Sequence, residues 1–104
     1  MRMRESDWKV FKRIRALALE RFSQRILDEC REICMKQTSS AHERYLELFR
    51  LIHERDKLIA AAFDRFSRSS AYMSLRLIRS MNLLTDAEVA ELSAEAQEVT
   101  DPEG

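Results

Sequence analysis

Glycine and proline are almost absent from this chain of 104 residues: Pro102 and Gly104 are the only ones, and residues 1–101 contain neither. These two residue types end helices and form tight turns. A chain without them is expected to be helical, with its breaks at Ser, Thr, Asn and Asp. The same absence excludes glycine-rich phosphate loops, nucleophile elbows and dinucleotide-binding fingerprints, so the sequence carries none of these enzyme motifs.

Long apolar runs are also missing. No run approaches the roughly 20 residues of a membrane span, and no hydrophobic segment follows the charged N-terminus, residues 1–7. We therefore expect no secretory signal and no contact with a membrane. Only two cysteines are present, which is too few for a disulfide framework, and a reducing, cytoplasmic location is expected.

The two cysteines, Cys30 and Cys34, lie four residues apart and would share one helix face. Zinc would need further ligands, and the two histidines, His42 and His53, are about 16 Å apart along a helix, so only one could join a site. Buried, reduced thiols are the better interpretation. We expect no metal and no cofactor.

Composition predicts one helical domain, residues 1–104, with 45% hydrophobic and 35% charged residues. The net charge is zero but unevenly distributed. Residues 1–81 carry 18 basic and 11 acidic residues, a balance of +7, whereas residues 82–104 carry seven acids and no base. The apolar residues Leu83, Leu84, Val89 and Leu92 should hold this acidic segment against the basic body, and residues 93–104 are expected to be partly disordered.

Helical periodicity predicts a long antiparallel hairpin. The first helix should run over about 7–36, with Ser6 as its N-cap, and the second over about 40–67, beginning at a capping box from Ser40 to Glu43. Steps of about 100° per residue gather one apolar face on each helix. The first face comprises Trp8, Phe11, Ile14, Ala18, Phe22, Ile26, Cys30 and Ile33. The second comprises Ala41, Tyr45, Leu48, Phe49, Ile52, Ile59, Phe63 and Phe66.

Beyond Phe66 the apolar pattern changes phase at a serine cluster, Ser67–Ser70. This predicts a bend or chain reversal, followed by a third helix over about 69–82; the pattern leaves open whether residues 40–81 form one bent helix or two. A second capping box, Thr85–Glu88, begins a short acidic helix to about Leu92, and Ser93 could cap one more turn. The predicted fold is an all-α helical bundle.

Asp56 lies within the apolar stripe of the second helix, where a charge must be paired or solvated. In a hairpin that turns at residues 38–39, Asp56 would lie level with Arg21 and Arg25. We therefore predict a buried ion pair between Asp56 and one of them. The alternative is a pocket for a small anion formed by Asp56 with Arg15, Arg21, Arg25 and Arg55.

Three functions remain open. The favoured one is a non-enzymatic protein–protein interaction module acting as a homodimer, because a helix about 45 Å long has a wider apolar face than one hairpin partner covers. The second is binding of nucleic acid or an acidic partner through the basic helical body, regulated by the acidic tail. The third, an enzyme acting on a small anion, would require a pocket lined by several of the four arginines. No catalytic residue is predicted.

Overall fold

The computed structural model describes residues 2–104 and contains five helices. These are α1 (Glu5–Cys34), α2 (Ala41–Phe63), α3 (Ala71–Ser80), α4 (Asp86–Ala90) and α5 (Ala94–Val99). No β-strand occurs over the described range 2–104. The prediction of an all-α chain built on a long antiparallel hairpin, α1 and α2, is thereby confirmed.

Both predicted capping boxes are formed. The Ser40 side chain accepts a hydrogen bond from the backbone N–H of Glu43, whose carboxylate accepts one from the N–H of Ser40, and Thr85 and Glu88 make the same exchange. Ser93 caps α5 by accepting from the N–H of Ala96. The start of α1 differs from the prediction: Arg4 is its N-cap and has no side-chain cap bond, so Ser6 lies within the helix.

Residues 40–81 form two helices rather than one bent helix. Between α2 and α3 the chain reverses through residues 64–70, where the hydroxyl of Ser67 lies within hydrogen-bond distance of the hydroxyls of Ser69 and Ser70. The Ser70 hydroxyl also lies within reach of the Arg65 carbonyl. These serines provide the local hydrogen bonds that the reversal needs in the absence of glycine and proline.

The hydrophobic core lies at the open end of the hairpin, where α3 packs against both α1 and α2. Phe11, Ile14 and Ala18 of α1 are fully buried there. The core is completed by buried side chains from the rest of the chain: Met3, Phe22, Ala62, Phe63, Ala71, Leu75, Ile78, Leu83, Leu92 and Ala96. Each of the five helices except α4 contributes a buried side chain.

The C-terminal segment, residues 83–104, folds back along α1. Asp7 of α1 is buried, and its carboxylate accepts hydrogen bonds from both the N–H (2.8 Å) and the hydroxyl (2.7 Å) of Ser93. Partial disorder of residues 93–104 stays a prediction. The structure has α5 here, followed by a turn. Ala96 is fully buried, and Thr100 is buried and accepts a hydrogen bond from Arg79.

The molecule is elongated, measuring 51 × 24 × 23 Å with a radius of gyration of 16.4 Å. A compact chain of this length has a radius of about 13 Å. The C-terminal elements reach along α1 as far as Arg25, which donates to the carbonyls of Met81 (3.1 Å) and Asn82 (3.4 Å). Beyond that point α1 and α2 continue as a two-helix extension, residues 26–34 and 41–54.

Candidate interaction surface

One side of the two-helix extension exposes large apolar side chains. Tyr45 and Phe49 of α2 are 60% and 61% exposed, Ile52 is 49% exposed, and Leu27 of α1 is 61% exposed. Cys34 is exposed beside them. We call these five residues the hairpin face. Aromatic and aliphatic side chains with this exposure are what a binding surface presents before its partner arrives.

Helix geometry places the five residues together. Tyr45, Phe49 and Ile52 lie within about 60° of each other around α2, and Leu27 and Cys34 are separated by two turns of α1. A cavity of about 210 Å³ is lined by Cys34, Ala41, Arg44, Tyr45 and Leu48. It joins the α1 part of the hairpin face to the α2 part, so the two helices present one continuous surface.

Two histidines flank the aromatic residues of the hairpin face. The ring of His42 stacks on Tyr45, with centroids 6.1 Å apart, and the ring of His53 stacks on Phe49, with centroids 6.2 Å apart and an interplanar angle of 5°. The hairpin face itself contains no charged residue. The ion pairs at the two ends of the extension, Lys36–Glu47 and Arg55–Glu29, use other residues.

The predicted buried ion pair of Asp56 with Arg21 or Arg25 is not formed. Asp56 is exposed and takes part in none of the ion pairs found over residues 2–104. Arg55, the residue before Asp56, reaches Glu29 on α1 at 2.9 Å, four residues beyond Arg25 and eight beyond Arg21. The rotation of α2 differs as well: its apolar side is about 180° wide, and the part that turns away from α1 includes Asp56.

The four arginines of the predicted anion pocket are separated and engaged elsewhere. Arg15 donates to the carbonyl of Phe63 and lies over the ring of Phe66, 4.3 Å from its centroid; burial lowers the pKa of this guanidinium. Arg25 contacts the carbonyls of Met81 and Asn82. Arg55 pairs with Glu29. Asp56 forms no ion pair with any of them within residues 2–104.

Arg21 makes the strongest contact of the group. Both of its terminal nitrogens donate to the Glu88 carboxylate, at 2.7 and 2.8 Å, and one also donates to the carbonyl of Leu83. This bidentate hydrogen bonding lowers the pKa of Glu88 from 4.5 to about 2. Arg21 thereby fixes the start of the C-terminal segment on α1.

An open hollow of about 480 Å³ does include Arg21 and Arg25. Its other lining residues are Glu20, Gln24 and Asp28, all on α1. Two carboxylates balance the two guanidinium groups, and both arginines already donate to protein oxygens. The hollow therefore has no excess of free donors for a small anion.

The C-terminal segment occupies basic side chains of α1. Arg4 pairs with Glu95 and Arg13 with Glu91, in addition to the Arg21–Glu88 pair. Residue numbers rise along α1 as they fall along the C-terminal segment, so the segment runs antiparallel to residues 4–21. These arginines are held by the protein's own acids, which weakens the case for a polyanion partner on this side.

Cys30 is half-buried, Cys34 is exposed, and both are free thiols. Burial raises the pKa of the Cys30 thiol. Residues 2–104 contain no group of three or more His, Cys, Asp or Glu side chains that could hold a metal ion. Within the same range, every helix is too short or too polar to cross a membrane.

No protein-family model, no curated protein and no solved structure matches this chain. Function is therefore inferred from the geometry of the hairpin face.

Proposed function

We propose that this protein is a non-enzymatic protein–protein interaction module that acts as a homodimer through the hairpin face. The observation that carries this proposal is the exposure of Leu27, Tyr45, Phe49 and Ile52 on one side of the two-helix extension. Aromatic anchors at the centre of a patch supply most of the binding energy in protein interfaces. A second hairpin would cover this face and complete a four-helix bundle.

The size of the surface fits a dimer. Residues 41–60 of α2 span about 30 Å, and two packed helices are about 20 Å wide, so this side of the hairpin has a flat footprint of about 600 Å². Stable interfaces bury about 800 Å² of accessible surface on each partner, and a corrugated surface exceeds its flat footprint. The total accessible surface, 6961 Å², is also above the roughly 6,100 Å² of a compact chain of this mass.

The same proposal includes a cellular location and a mode of action for the protein. Two free thiols on or beside an interface fit a reducing compartment such as the cytoplasm. The module would act by holding two copies together. No chemical step is assigned to any side chain.

Sedimentation equilibrium at about 1–100 µM, the range of moderate affinities, tests the proposal. We expect the wild-type protein to dimerise in this range and Phe49→Glu to remain a monomer, because a carboxylate would have to be desolvated at the centre of the interface. Met73→Glu is the matched control: Met73 is 69% exposed but lies on α3, outside the hairpin face. A monomeric wild type, or a dimer lost in Met73→Glu and kept in Phe49→Glu, would overturn the proposal.

A further inference from the structure

We propose that the two copies pack antiparallel, related by a two-fold axis at Phe49, so that His42 of each chain bonds Asp56 of the other. This inference rests on the proposed homodimer and adds its geometry. It starts from the spacing of five residues on α2: His42, Tyr45, Phe49, Ile52 and Asp56 follow one another at steps of three, four, three and four. Such steps keep side chains on one stripe of a helix, as at the seam between packed helices.

The stripe is symmetric about Phe49 in its chemistry. His42 lies seven residues before Phe49 and Asp56 seven residues after it, each about 10.5 Å away along the helix axis. His42 can donate a hydrogen bond and Asp56 can only accept one while ionised. A two-fold interface must be self-complementary, because every residue meets the copy of another residue or of itself.

Direction follows from this distribution. In a parallel dimer in which α2 packs on α2, each residue faces its own copy, so Asp56 would face Asp56 and two carboxylates would be desolvated together. In an antiparallel dimer centred on Phe49, His42 of each chain faces Asp56 of the other. Tyr45 of each chain then lies against Ile52 of the other. Asp56, which is exposed and unpaired over residues 2–104, thereby gains a donor.

The other helix has the same centre. Leu27 and Cys34 of the hairpin face are also seven residues apart, and their midpoint lies between Cys30 and Arg31. The contacts of Cys34 with Arg44 and of Glu29 with Arg55 set the register of the hairpin. In this register the midpoint lies level with about residue 50 of α2. One two-fold axis therefore brings Leu27 of one chain to Cys34 of the other while it places Phe49 against its copy.

Charge exchange tests this geometry. The variants are His42→Glu, Asp56→Lys and the double variant, with Kd for dimerisation measured by sedimentation equilibrium at about pH 7 and low salt, where exposed charges are least screened. Each single change should raise Kd about tenfold or more, because the dimer interface loses both of its His42–Asp56 hydrogen bonds. His42→Glu also places its new carboxylate opposite that of Asp56. The double variant restores two opposite-charge pairs and should return Kd to within about threefold of the wild type.

Glu54→Lys is the matched control. It reverses the same charge two residues from Asp56, at an exposed position about 200° around α2, and should leave Kd unchanged. Circular dichroism of every variant checks that helix content is kept. Residues 42 and 56 are too far apart along α2 to interact within one chain, so recovery in the double variant reports contact between chains.

The outcomes separate the two proposals. A double variant that dimerises less well than either single variant would indicate parallel packing of α2 on α2 and overturn the antiparallel geometry. In that packing the carboxylates introduced at position 42 face each other, and so do the ammonium groups introduced at position 56. Unchanged Kd in all three variants, with Phe49→Glu monomeric, would overturn the His42–Asp56 contact and leave the homodimer standing. A monomeric wild type would overturn both.

Discussion

At the scale of single residues, charged side chains orient the C-terminal segment on α1. Glu88 shows this most clearly: it completes the capping box of α4 and receives both donors of Arg21. Its pKa in the folded protein, about 2, is lower than the ordinary 4.5. The ionised form therefore stabilises the fold fully above pH 4.5, and this contribution is lost as the pH falls from 4.5 toward 2.

We predict that Glu88→Gln lowers stability at neutral pH and flattens the loss of stability between about pH 5 and pH 2.5. Glutamine can still take the capping-box position, so the change removes the charge and keeps the cap. Urea unfolding at a series of pH values is the measurement. Glu98→Gln, at an exposed site in α5, serves as the control. Equal pH profiles for Glu88→Gln and the wild type would mean that the Arg21 contact contributes nothing to folding.

Asp7 is the second residue of this kind. It is buried, and its carboxylate accepts both hydrogen bonds that Ser93 donates at the start of α5. Asp7→Ala would leave the N–H and hydroxyl of Ser93 without that acceptor, at a cost of about 1.5–3 kcal/mol in unfolding free energy. Asp7→Asn keeps one amide oxygen and should lose less. Chemical denaturation compares the two, and identical losses would show that the carboxylate itself has no special role.

At the scale of secondary-structure elements, α4 and α5 act together as one segment bound to α1. Apolar side chains anchor it, because Leu83, Leu92 and Ala96 are all buried. The Arg4–Glu95 and Arg13–Glu91 pairs are exposed and contribute little each, whereas Glu88 of the Arg21–Glu88 pair is only 13% exposed. Their effect is to orient the segment and to neutralise arginines that would otherwise face solvent.

We predict that the triple variant Glu88→Gln, Glu91→Gln, Glu95→Gln binds a polyanion such as heparin more tightly than the wild type, in a salt-dependent manner. The variant releases three arginines while it keeps the apolar anchors. The control removes three acids that form no ion pair within residues 2–104: Asp86→Asn, Glu98→Gln, Glu103→Gln. Equal binding by the two triple variants would mean that total charge, rather than the occupied arginines, sets affinity.

Helices were predictable from the sequence where a capping residue or a helical spacing of apolar residues marks them. Ser40, Thr85 and Ser93 begin helices as expected, since each side chain can accept from the N–H groups of the first turn. The start of α1 was not predictable from capping, because Arg4 makes no cap bond and the chain before the helix is held instead by Met3, which is buried. α5 was predicted as at most one turn, since its anchor, Ala96, carries no strong hydrophobic signal.

The candidate surface was predictable only in part, and Asp56 shows why. Periodicity gives the set of residues on the apolar side of α2, but that side is about twice as wide as α1 can cover. The choice of which half faces α1 depends on packing at the open end, where Ala62 and Phe63 are buried together with α3. The periodicity placed Tyr45, Phe49 and Ile52 on this apolar side, and the structure has them on its exposed half.

At the scale of the whole molecule, the protein has a packed base and an extension made of two helices alone. In the base, α1 and α2 are buried by α3 and the C-terminal segment; in the extension each helix has only the other to pack against. The free energy needed to unfold a region locally is higher where such contacts are denser. The extension of an isolated chain should therefore exchange its backbone amide hydrogens faster than the base.

Dimerisation should change that pattern in one place, because a partner that binds only the folded face stabilises the region it covers. We predict that amide hydrogen exchange of residues 26–34 and 41–54 slows as protein concentration rises through the dimer Kd, while α3 and the buried part of α1 stay unchanged. Phe49→Glu should exchange as the dilute wild type does at every concentration, and Met73→Glu should behave as the wild type. Exchange measured by mass spectrometry at several concentrations resolves these segments. If protection rose first in α3, the partner would bind at Met73 and Leu77 instead. If exchange did not depend on protein concentration, no second copy would bind the hairpin face.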